Sequence, residues 1–135
     1  MALRKKTMRE KLQALTNSWK WHLASYLLRS DPTWNWPHEI PFLIPEKRSI
    51  FSAKIDVARG IVQDLKNAID MNLDDLSDEI SRLTRKYKLV LTGLISKTNM
   101  TRDKASRIML ISKQEVVRDF LKELNGVESM WRVRD

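Results

Sequence analysis

All four prolines of this 135-residue chain fall at positions 32, 37, 41 and 45, and the chain has only three glycines. A proline removes a backbone donor and disfavours helical geometry at the residue before it, so the strongest helix breakers are confined to one short stretch. On both sides of that stretch apolar residues recur at steps of three and four, the spacing that lays a stripe along an α-helix. The chain is therefore expected to be all-α, with its one extended segment at residues 31–48.

The first stripe, Met8, Leu12, Leu15, Trp19, Leu23 and Tyr26, predicts a helix over about residues 2–29, ended by Asp31-Pro32. From Ser49, a good N-cap, the ladder Ala58, Val62, Leu65, Ile69, Leu76, Ile80, Leu83, Tyr87, Val90 and Leu94 runs almost unbroken. Acids Asp74, Asp75, Asp78 and Glu79 precede bases Arg82, Arg85, Lys86, Lys88 and Lys97, the polarity a helix dipole favours. With Asn72 as a cap, that order places a turn near 70–73 and gives two helices, at about 49–70 and 73–97. A single continuous helix over 49–97 is the alternative; it would be about 73 Å long and would need another chain to cover its far end. Thr101 as N-cap, with Asp103 in the first turn, opens a last helix over about 101–124. Its apolar sector is Ala105, Met109, Val116, Val117, Phe120, Leu121 and Leu124, and Asn125-Gly126 is read as its stop, leaving 126–135 as a tail.

Helices of similar length can cover one another's stripes, so the expected architecture is a four-helix bundle with coiled-coil character in a single domain, 1–135. Segment 31–48 is apolar as well as proline-rich: Trp34, Trp36, Ile40, Phe42, Leu43 and Ile44 are costly to leave in water. Eighteen extended residues reach on the order of 60 Å, enough to span a 25-residue helix of about 37 Å. The segment is accordingly expected to act as a strap lying on the bundle, and a crossover between parallel first and second helices is open to it.

Chemistry finds little material. There is no cysteine, and the two histidines, His22 and His38, lie far from any metal-ligand spacing. Nucleophile elbows, phosphate-cradling glycine loops and dinucleotide fingerprints are missing too. The acids at 74–79 fit the first turn of a helix better than an acid-base pair, and His22 reads as a packed or surface residue. We therefore expect no enzyme, no cofactor, no metal and no small-molecule substrate. No apolar run approaches the roughly 20 residues that cross a bilayer, and the N-terminus lacks the apolar core of a secretory signal. An intracellular protein, cytoplasmic or nuclear, is expected. A basic first helix also fits organellar import or a membrane surface.

Binding is the class that remains, and two surfaces compete for it. The net charge is +8, distributed as +5 over residues 1–49, −4 over 50–79 and +7 over 80–135. Arg4, Lys5, Lys6, Arg9 and Lys11 form one basic patch; Arg82, Arg85 and Lys86 form another on the outer side of the third helix. Such patches neutralise phosphates without reading bases, so a nucleic-acid-binding protein contacting the phosphate backbone is the alternative reading. The leading one comes from tryptophan. Trp19 and Trp21 are about 200° apart on a helix, so Trp19 joins the core stripe while Trp21, with Ala14 and Leu28 seven residues away, marks a second apolar face. Trp34 and Trp36 project to one side of an extended segment, and Trp131 stands in the tail. Tryptophan concentrates where binding energy does. The expected function is a non-catalytic helical interaction protein, an adaptor, regulator or small subunit. It would hold a protein partner or a second copy of itself through Trp21, Leu28, Trp34, Trp36, Phe42 and Trp131.

Overall fold

Each apolar stripe becomes one helix in the computed structural model, which describes the backbone of residues 2–30, 44–71 and 73–133 and the side chains of residues 8–30, 49–71 and 75–127. The helices are α1 (Ala2–Ser30), α2 (Ile44–Ile69), α3 (Leu73–Met100) and α4 (Lys104–Val133). Together they make the all-α four-helix bundle expected from the spacing, and among the described residues there is no strand. α1 packs chiefly on α2, α3 on α4, and α2 on α4, so α2 and α4 form the centre and α1 and α3 flank them. One core cluster joins all four, built from Met8, Leu12 and Trp19 of α1, Ile61 and Leu65 of α2, Leu76, Ile80 and Leu83 of α3, and Val116, Phe120 and Leu124 of α4.

α1 and α2 are antiparallel, not parallel. At one end Arg9 donates to the Ile69 and Met71 carbonyls, the first at 2.6 Å. At the other, the Tyr26 and Phe51 rings lie 5.9 Å apart. A chain that turns back on itself joins neighbouring ends, so no crossover the length of the bundle is needed. α2 also starts at Ile44, five residues before the expected cap, and Ser49 is interior to it. Pro45 is compatible with that start, because a proline in the first turn removes a donor that has no helical partner there. Trp34, Trp36 and Phe42, and with them the strap over 31–43, lie outside the described residues.

Of the two alternatives for residues 49–97, the two-helix one is found: α2 ends at Ile69 and α3 begins at Leu73. The Met71 amide donates to the Ala68 carbonyl at 3.1 Å, and Arg9 from α1 takes up the carbonyl of Ile69, which α2 leaves without a helical donor, and that of Met71 just beyond the helix. Asn72 lies outside the described residues.

Between α3 and α4 the cap is Asp103 rather than Thr101. The Asp103 carboxylate accepts from the Ser106 amide at 2.9 Å and from its hydroxyl at 2.7 Å, and these bonds hold its pKa below the ordinary 3.8. Thr101 instead closes α3, its hydroxyl donating to the Lys97 carbonyl at 2.6 Å. α4 does not stop at Asn125-Gly126 but continues to Val133. Val127, seven residues beyond Phe120, continues the stripe and is buried in the same cluster. Such burial contributes about 1.5–3 kcal/mol, more than the about 1 kcal/mol a helical glycine costs.

Two details of the stripes also differ from expectation. α2 buries Ala53, Ile55, Ile61 and Ala68 beyond the expected ladder, because it is covered from both α1 and α4. On α3 the step after Tyr87 falls on Leu91, which packs against the core, while Val90 is exposed.

Candidate functional site

α1 presents two faces of opposite character. On one, Trp19 is 1% exposed; its indole N–H donates to Glu123 Oε2 at 2.7 Å, and its ring meets Phe120 edge-on at 5.6 Å. On the other, Trp21 is 72% exposed and Leu28 54% exposed, with Ala14 exposed between them and the start of the side chains described. Over residues 14–28 the helical wheel places Ala14, Asn17, Ser18, Trp21, Ala24, Ser25 and Leu28 within about 60° of the Trp21 direction, and one turn before them the exposed Glu10 points the same way. None of these seven is charged, in a chain of which 31% of residues are charged. Removing the 14–28 stretch of this face from water desolvates no ionised group, which is the composition of an interface centre rather than of an ordinary surface.

The basic residues are placed quite differently. Arg9 is held at the carbonyl end of α2, as described above. Arg82 chelates the buried carboxylate of Glu79 through Nε, at 3.0 and 2.9 Å, and through Nη2, and the bond to Glu79 raises its pKa. Lys86 Nζ lies 2.7 Å from Asp64 Oδ2, which also accepts from the Tyr87 hydroxyl at 2.6 Å. Burial first, and that bond second, push the Tyr87 phenol far above its ordinary value. Lys11 and Arg85 are exposed. For Arg4, Lys5 and Lys6 the α1 backbone is described but not the side chains, and Trp131 stands likewise on α4.

Among the described residues, two grooves bear on binding. One, of about 620 Å³, is lined by Asp70, Met71, Asp75, Asp78, Glu79, Arg82 and Arg85, where α2 turns into α3. Its principal buried acid, Glu79, is the one neutralised by Arg82. The other, of about 470 Å³, lies between α1 and α4 and is lined by Trp19, His22, Tyr26, Asp119, Lys122 and Glu123. Sequence reasoning passed over it, since its residues come from helices about a hundred positions apart. The available signal was the i, i+4, i+8 series Glu115, Asp119 and Glu123, an acidic line on α4 in a basic chain.

Further exposed apolar side chains stand on the α3–α4 hairpin, with Leu89 73% and Met100 82% exposed. Among the described residues no three His, Asp or Glu converge to hold a metal ion, and no helix is long and apolar enough to cross a membrane. Comparison with protein-family models, with curated proteins and with solved structures finds no match for the chain.

Proposed function

We propose that this chain is a non-catalytic helical interaction protein whose binding surface is the face of α1 from Ala14 to Leu28, uncharged over that length and centred on Trp21 and Leu28. The observation that carries this reading is the 72% exposure of Trp21 within a seven-residue patch that has no charged side chain. A tryptophan offers an apolar area of about 150–250 Å² at the expense of few rotatable bonds, which makes it an efficient anchor for a protein partner or a second copy of the chain. Trp34, Trp36, Phe42 and Trp131 are proposed as further contacts to the partner. The phosphate-binding alternative is the weaker one, because Arg9, Arg82 and Lys86 are already bonded within the bundle.

The test is a chain with Trp21→Lys and Leu28→Lys together, compared with the unchanged chain by sedimentation and by affinity capture from the source cells. Both positions are exposed, so the variant should keep its helical circular dichroism. Self-association, or a specific captured protein, is expected with the unchanged chain and not with the variant. Equal behaviour of the two chains in both measurements would sink the reading.

A further inference from the structure

The groove between α1 and α4 brings an aromatic row against an acidic row. On the first side Trp19 and His22 have ring centroids 5.0 Å apart, His22 and Tyr26 stack at 6.2 Å with 20° between their planes, and Tyr26 meets Phe51 of α2 at 5.9 Å. On the second, Glu123, Asp119 and Glu115 follow one another along α4 at about 6 Å per step. The two rows run side by side, with Trp19 bonded to Glu123 at one end.

The bundle already fills the opposite end with a cation of its own. Lys54 Nζ lies 5.8 Å from the Tyr26 ring centre, 5.6 Å from that of Phe51 and 3.5 Å from Glu115 Oε2. An ammonium group placed between ring faces and a carboxylate gains from the ring quadrupole and from the charge together. One turn along, His22, Tyr26 and Trp19 line one groove together with Asp119, Lys122 and Glu123, so rings and carboxylates share its wall. The groove holds about 470 Å³, a size typical of small-ligand sites. Asp119 makes no hydrogen bond or ion pair among the described residues, and Glu123 is bonded through Oε2 alone. Lys122 lines the rim without pairing to either acid. The Tyr26 phenol registers the field: its pKa is raised by burial first and by Asp119 next, Arg29 opposes the rise, and Glu123 and Glu115 add to it.

We propose that this groove binds an organic ammonium group, of the class of a trimethylammonium head or a lysine ε-ammonium, between the rings of His22 and Tyr26 and the carboxylates of Asp119 and Glu123. The ring faces favour an organic cation over a metal ion, for which the described residues offer no ligand cluster. The site is separate from the Trp21 face, since His22 and Tyr26 project roughly 100° and 140° away from Trp21 around α1.

The test uses the full chain and follows the Trp19 indole N–H and His22 ring signals by NMR during titration with choline, with N-acetyl-lysine methylamide, and with 3,3-dimethylbutan-1-ol, the uncharged counterpart of choline. Both cations are expected to shift these signals and the alcohol is not. The tighter of the two cations assigns the source, choline a free quaternary amine and the lysine derivative a partner's side chain. Asp119→Asn, exposed and without a hydrogen bond among the described residues, is expected to keep the fold and weaken cation binding about fivefold. Lys122→Gln, which removes the cation among the described lining residues, is expected to strengthen it. Equal shifts from choline and the alcohol, no shift at roughly 50 mM of either cation, or binding indifferent to Asp119→Asn would each overturn the proposal.

Discussion

Trp19 and Trp21 are two residues apart on one helix and live in opposite worlds. Trp19 is closed in by Phe120 and His22 and has its N–H on Glu123, while Trp21 stands 72% exposed on a face that carries no charge from Ala14 to Leu28. The helical turn alone decides this, because two residues carry a side chain about 200° around the axis. The difference teaches that tryptophan content by itself says little about binding. A tryptophan on the stripe stabilises the fold; one off the stripe is available to something else.

The largest effect that separates them is on stability. Trp19→Ala leaves a void bounded by α1 and α4 and is expected to cost about 3–5 kcal/mol in urea unfolding, as large aromatic truncations in a core do. A loss below about 1 kcal/mol would mean that the α1–α4 contact adds little to the bundle, and the contrast with Trp21 would collapse.

A smaller effect isolates the polar end of Trp19. Replacing Glu123 by Leu keeps an apolar volume beside the ring but strands the indole donor, which is buried and has no other acceptor among the bonds described. The expected cost is about 1–3 kcal/mol, the penalty for an unsatisfied buried donor. A neutral or stabilising result in the same urea unfolding would show that water replaces the carboxylate and that Trp19 is held by packing alone.

The same geometry explains what could be read in advance. The stripe positions Leu12, Leu15, Trp19, Leu65, Ile80 and Phe120 were legible because burial on one face imposes a period near 3.6, and the structure buries all six. The second face of α1 was legible for the same reason, as the set that this period leaves over. Helix ends were not. Asn125-Gly126 carries a local stop signal that Val127 overrides by tertiary burial, and Thr101 lost the cap to Asp103, a better acceptor two residues on. For Arg9 a sequence shows the charge and not the Ile69 and Met71 carbonyls that meet it. The groove of His22, Tyr26 and Asp119 depends on which helices become neighbours, and no local period encodes that.

The smallest expected effect carries the most information about the exposed face. Trp21→Ala removes a ring already largely in water and substitutes a better helix former, so the two contributions nearly offset each other. In dilute solution the unfolding free energy should change by no more than about 0.5 kcal/mol. At high protein concentration the variant should fall behind the unchanged chain if a second copy covers the face, since mass action stabilises only the form that binds. With a different partner, the lag should appear only when that partner is added. A loss of about 2 kcal/mol or more in dilute solution would reverse the reading of the comparison. Trp21 would then be covered within its own chain, the second face of α1 would belong to the core like the first, and the anchor for a partner would have to be sought elsewhere on the bundle.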